Sequence, residues 1–131
     1  MDHDLFPSVR RTNPEKEYFF QEGCFILELT NGPGDPAVSI ARARVAPGVT
    51  TRLHRLEGIT ERYVILEGRG SVEVNGMTAQ PVGPGDVVCI PPACPQRITN
   101  TGTLDLIFLA VCTPRFVAEA YRDMDDGAET S

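Results

Sequence analysis

The chain has 131 residues, is 41% hydrophobic and carries a net charge of −6 at neutral pH. That length supports one domain around one core, burying roughly two-thirds of the unfolded chain's surface. The acidic balance excludes nucleic acid or an anionic membrane as general partners, since both need a basic face. Glycine (12) and proline (11) favour many short strands joined by tight turns. Residues 1–17 are polar, contain Pro7 and Pro14, and read as an N-terminal arm. Strands are expected at 18–20 and 24–29, followed by the loop Asn31-Gly32-Pro33-Gly34-Asp35-Pro36. Over 38–45, Ser39, Ala41, Ala43 and Val45 alternate with Val38, Ile40, Arg42 and Arg44, and Pro47-Gly48 turns the chain.

Tyr63-Val64-Ile65-Leu66 is apolar on both faces, as a strand covered on both sides should be. A further strand spans 71–74, and Asn75-Gly76 is a two-residue hairpin signal because both positions tolerate positive φ. Gly83-Pro84-Gly85-Asp86 turns into a strand at 87–90. Pro91-Pro92-Ala93-Cys94-Pro95 forms a rigid loop. Strands at 97–99 and 104–112 flank the turn Asn100-Thr101-Gly102-Thr103. Beyond Pro114, the residues Phe116, Val117, Ala120, Tyr121 and Met124 recur at helical spacing, which predicts a short C-terminal helix before an acidic tail. The organisation is therefore an arm (1–17), a barrel (18–115), and a helix with its tail (116–131). Strands come first and one helix last, without βαβ alternation, so the fold class is all-β, a double-sheet jelly roll.

No apolar run is long enough to cross a bilayer, and Met1-Asp2-His3-Asp4 lacks the basic start and apolar stretch of a signal peptide. A cytoplasmic location is the expectation. The cysteines Cys24, Cys89, Cys94 and Cys112 form no Cys-x-x-Cys pair, so neither a structural zinc nor disulfides are expected. Buried thiols acting as small apolar groups are the default, with Cys94 notable for lying two residues before Gln96.

Two spaced motifs carry the chemistry. The first is Gly48, His54, Glu61 and Gly68, and the second is Gly85, Pro91, Gln96 and Asn100. Together they resemble the signatures of the cupin superfamily, and the resemblance spans about residues 38–112. The family's first motif is a glycine, five residues, His-x-His, three or four residues, Glu, six residues and Gly. Here Leu56 stands in place of its second histidine. In the second motif, Ala93 takes the usual glycine place and Gln96 the usual histidine place. The resemblance implies a double-stranded β-helix barrel and a homodimer paired through an edge strand or exchanged N-terminal segments.

Residues two apart on a strand share a face, so Arg52, His54 and Leu56 point together, as do Glu61, Tyr63 and Ile65. Gln96 shares its face with Cys94, Ile98 and Asn100 if that segment is extended. Three strand ends can thus converge inside the barrel mouth. The chain has only two histidines, His3 and His54. A three-histidine iron site, or the usual cupin set of three histidines and one glutamate, cannot be built within one chain. His54, Glu61 and Gln96 remain as metal ligands, a hard and weak site suited to Mn²⁺, Fe²⁺, Ni²⁺ or Zn²⁺ with water completing the shell. Glu61 and Tyr63 are the candidate catalytic groups. Each residue also has a structural alternative: His54 could simply hydrogen-bond Glu61, and Tyr63 could be core.

Three functions follow, each with a small molecule as partner. The first is a metal-dependent enzyme of isomerase, dioxygenase or lyase type. The second is a metal-free, epimerase-like enzyme with His54 as base, oriented by Glu61, and Tyr63 as acid. The third is a non-catalytic binding or sensing module made more apolar by Leu56. The retained Glu61 favours the first, because a carboxylate leading an apolar strand needs a metal, an imidazole or a ligand if it is buried.

Overall fold

Period-two alternation decides which side chains enter the barrel. The structure is a computed structural model that describes residues 6–125. Its strands, in chain order, are β1 (Tyr18–Phe20), β2 (Cys24–Thr30), β3 (Ser39–Val45), β4 (His54–Leu56), β5 (Thr60–Glu67) and β6 (Gly70–Val74). They continue as β7 (Gln80–Val82), β8 (Val87–Ile90), β9 (Gln96–Asn100), β10 (Leu106–Thr113) and β11 (Tyr121–Asp123). They form two antiparallel sheets, ordered β1-β2-β3-β10-β5-β8 and β11-β4-β9-β6-β7. The non-consecutive neighbours β3-β10-β5 and β4-β9-β6 are the crossovers of a double-stranded β-helix.

Between the sheets lies a core of Ala43, Val45, Tyr63, Ile65, Val72, Ile98, Leu106 and Phe108. Of these, Ala43 and Val45, Tyr63 and Ile65, and Ile98 lie on faces read from the sequence. On β5, Glu61, Tyr63 and Ile65 are buried while Arg62 and Val64 are less so. On β8, Val88 and Ile90 are buried, and Cys89 points outward and is exposed. Strand parity therefore overrides the default of a buried thiol at Cys89. The outward Arg44 pairs with Glu17 at 2.8 Å and with Asp105 at 3.3 Å. No helix among the described residues is long and apolar enough to cross a membrane.

Two elements depart from the sequence reading. The C-terminal helix is instead one 3-10 turn, Ala118–Ala120, followed by β11 on the edge of β4. Tyr121 pairs with Leu56, Arg122 with Arg55, and Asp123 with His54. The Met124 N–H reaches the Leu53 carbonyl at 2.8 Å, and Asp125 Oδ2 accepts from the Leu53 N–H at 2.8 Å. A segment this short cannot nucleate a helix by itself, whereas the β4 edge offers unpaired backbone groups. The apolar positions 116, 117, 120 and 121 still cover the core, as part of a second cluster with Leu56, Ile59 and Cys112. The other departure is β7, which the sequence did not announce. Asn75 and Gly76 do take positive φ, at 52° and 74°. The paired residues are Val72 and Gln80, however, so the connection is longer than a two-residue hairpin. His3 and the tail beyond Asp125 lie outside the described residues.

The rigid loop before β9 supplies a stability prediction. Ala93 sits at φ +66°, and its N–H donates to the Leu56 carbonyl at 2.8 Å. A non-glycine residue there bears about 1–2 kcal/mol of strain, partly offset by glycine's larger unfolded entropy. Ala93 is exposed, so its methyl contributes little packing. Ala93→Gly should therefore stabilise the fold by up to about 1 kcal/mol. A lower urea midpoint for the variant would count against this account of the loop.

Candidate functional site

Register brings the motif residues to one end of the barrel. His54, first residue of β4, lies directly opposite Gln96, first residue of β9. On the facing sheet, Glu61 of β5 lies opposite Cys112 of β10, which pairs with Ser39 of β3. The turn between β1 and β2 adds Glu22, which the sequence reading did not single out. Gly23 at φ +101° makes that turn, and the Glu22 carbonyl accepts from the Arg52 N–H at 2.8 Å. This ties the turn to the approach of β4 and folds the Glu22 side chain inward.

The polar side chains here are all deeply buried: Glu22 is 9% exposed, Glu61 8%, His54 2% and Gln96 1%. Gln96 Nε2 donates to Glu61 Oε1 at 2.8 Å. The Tyr63 hydroxyl donates to Gln96 Oε1, and its ring packs on Phe108 with centroids 4.3 Å apart. Tyr63, Gln96 and Glu61 thus form a directed chain that fixes one oxygen of the carboxylate. His54 Nδ1 is 2.7 Å from the Arg52 carbonyl, which can only accept. Nδ1 therefore carries a proton, and in the neutral ring Nε2 holds the lone pair. Nε2 lies 3.6 Å from Glu22 Oε1. Tyr121 of β11 stacks on the imidazole, with centroids 5.0 Å apart and planes at 17°, and Phe20 meets Tyr121 edge-on at 5.2 Å.

Burial and the neighbouring Glu22 charge push the Glu61 carboxyl up to about 7, against weaker lowering by Gln96 and His54. Each carboxylate also faces a thiol. Cys24 Sγ is 3.7 Å from Glu22 Oε2, and Cys112 Sγ is 3.9 Å from Glu61 Oε2. Burial first, and the adjacent carboxylate next, hold both thiols far above the ordinary cysteine value, so they stay protonated. A cavity of about 60 Å³ opens over this end, lined by Glu22, Glu61 and Cys112 together with Tyr18, Phe20 and Phe116.

The structure brings His54, Glu61, Gln96 and Tyr63 together, and of these four Glu61 alone lines the cavity. Arg52 lies to the outside, paired with Asp123 at 2.8 Å. The arrangement does not fit a metal shell. The Gln96 oxygen is taken by Tyr63, and its amide nitrogen takes one of the two Glu61 oxygens. Leu56 contributes no donor. Among the described residues, no three His, Cys, Asp or Glu side chains converge as metal ligands.

A two-sheet barrel with motif residues at one end is the architecture of a cupin, and the chain belongs to that family: the Cupin domain model matches residues 41–112. An uncharacterized protein of Methanocaldococcus jannaschii is 35% identical over 106 residues, covering 79% of this chain and 84% of that protein. An oxalate-binding protein of Thermotoga maritima is 42% identical over 71 residues, 54% of this chain and 58% of that protein. Among solved structures, the nucleoside dehydratase Pac13 of Streptomyces superimposes with a TM-score of 0.73 at 18% identity, covering 89% of this chain and 92% of its own, a likeness of fold alone.

Proposed function

We propose that this cupin is a small-molecule enzyme of the proton-transfer type, an isomerase or lyase, working with its own side chains. The observation that carries the reading is the placement of two buried carboxylates, Glu22 and Glu61, on the wall of one small cavity. Paired carboxyl groups in unequal surroundings can divide the roles of acid and base. Glu61, with one oxygen fixed by Gln96, holds its proton near neutrality and donates it to the substrate. Glu22, backed by the His54 imidazole, accepts one. Tyr63 is a positioning residue acting through Gln96. The metal-dependent reading would require Gln96 and Glu61 to release one another first.

The test is proton exchange in deuterated water with EDTA present, using dihydroxyacetone and glycolaldehyde as small carbonyl probes. Proton NMR should show deuterium entering the carbon next to the carbonyl. Glu61→Gln and Glu22→Gln should each slow that entry by about 10²-fold or more. Exchange that appears only after Mn²⁺ or Zn²⁺ is added would favour the metal-dependent enzyme. Absence of exchange under both conditions would leave a binding module.

A further inference from the structure

We propose that the cavity takes a ligand bearing a small organic cation, a protonated amine, seated between Glu22 and Glu61. This names the ligand class of the site argued above and rests on those two residues serving it. Three glutamate side chains line the cavity, Glu22, Glu61 and Glu28, and no lysine or arginine does. Glu22 is nine-tenths buried, yet among the described residues no N–H or O–H lies within hydrogen-bond reach of its side chain. Its carboxylate accepts a long hydrogen bond from the Cys24 thiol at 3.7 Å and lies 3.6 Å from His54 Nε2, an ion pair only when the imidazole is protonated. A buried carboxylate so poorly compensated calls for a donor from outside.

The surrounding arginines are already committed elsewhere. Arg44 is held by Glu17 and Asp105, and Arg52 by Asp123. The rest of the wall fits an organic cation better than a bare metal ion. Tyr18, Phe20 and Phe116 line the same space, and aromatic faces attract ammonium groups. A hard divalent ion instead asks for several converging oxygen or nitrogen ligands. The volume of about 60 Å³ is several times the ~10–15 Å³ that one water needs, which leaves room for an ammonium head and a short alkyl stem. A dianion such as oxalate would meet the buried Glu22 and Glu61 side chains with no lysine or arginine on the cavity wall to offset them.

The experiment compares three probes of nearly one size and different charge: ethylammonium, ethanol and acetate, with oxalate as a further anion. Each is titrated into the full chain with EDTA present, following the side-chain carboxyl ¹³C resonances of Glu22 and Glu61. Ethylammonium should shift both resonances saturably and bind roughly tenfold or more tighter than ethanol, with no response to acetate or oxalate. Glu22→Gln should weaken ethylammonium by a similar factor while its amide spectrum stays dispersed. Acetate or oxalate binding as tightly as ethylammonium would overturn the proposal, as would unchanged binding by Glu22→Gln. Displacement of ethylammonium by one equivalent of Mn²⁺ or Zn²⁺, with EDTA omitted, would assign the site to a metal and overturn it too. The titration reads binding without turnover. Amine binding without deuterium exchange would end the acid–base reading and leave this inference standing.

Discussion

Glu61→Gln is expected to make the protein more stable at about pH 8 while removing the proton-transfer activity proposed above. The sign follows from linkage. The ordinary value for this carboxyl is 4.5, and the folded protein raises it to about 7, chiefly through burial and then through the charge of Glu22. Between those values the folded state holds a proton that the unfolded state has released. The stability this confers is fully present below 4.5 and is lost as pH rises through 7. Above that range the folded chain carries an ionised carboxylate in a buried place beside a second one. The shift corresponds to about 3 kcal/mol.

Glutamine keeps the shape and an acceptor for the Gln96 amide, but has nothing to ionise. Urea unfolding of both proteins at about pH 5 and about pH 8 measures the effect. The wild type should lose stability relative to Glu61→Gln across that interval. Groups away from Glu61 are common to both proteins and cancel; Glu17, for example, is held low mainly by its hydrogen bond from Arg44. Parallel pH slopes would mean that Glu61 is not the buried acid described here. The pairing of a stability gain with an activity loss marks a residue kept for its chemistry.

Much of this site was legible before the fold was known, because it depends on strand parity and motif spacing. Alternation placed Glu61 and Tyr63 on one face, and both are inward on β5. The motif spacing put His54 and Gln96 at converging strand ends, and they meet in register as the first residues of β4 and β9. Glu22 was not legible. It sits in a turn between two apolar strands, where a carboxylate ordinarily faces solvent. Its inward course depends on the backbone tie to Arg52, thirty positions along the chain. Tyr121 was misplaced for a different reason. Positions 116, 117, 120 and 121 satisfy a helical period, but a period describes only which residues seek cover. The open edge of β4 decided the backbone, and that choice laid the Tyr121 ring on His54.

Gly68→Ala is expected to cost about 4 kcal/mol, a large fraction of the stability of a domain this size. The reason is a close approach of backbone to backbone. Gly68 follows the end of β5 at φ +87°, where a non-glycine residue is strained by about 1–2 kcal/mol. A Cβ there would sit 2.6 Å from the Asp105 carbonyl oxygen and 2.9 Å from the Leu106 Cα. Neither atom can swing aside as a side-chain end could, because Leu106 begins β10, the central partner of β5. Relieving the overlap means shifting one strand of the six-stranded sheet, at a further cost of about 1–3 kcal/mol. Gly76 provides the control. It has a similar φ of +74°, but nothing lies within 4 Å of its added Cβ. Gly76→Ala should therefore carry the conformational strain alone, about 1 kcal/mol. Denaturant midpoints of the two variants separate the contributions. Equal losses would show that φ, and not the approach of Asp105, explains the closing glycine of the first motif. Glu61 lies near the start of β5 and Gly68 just past its end, so the folded fraction of Gly68→Ala should keep whatever proton exchange the wild type shows.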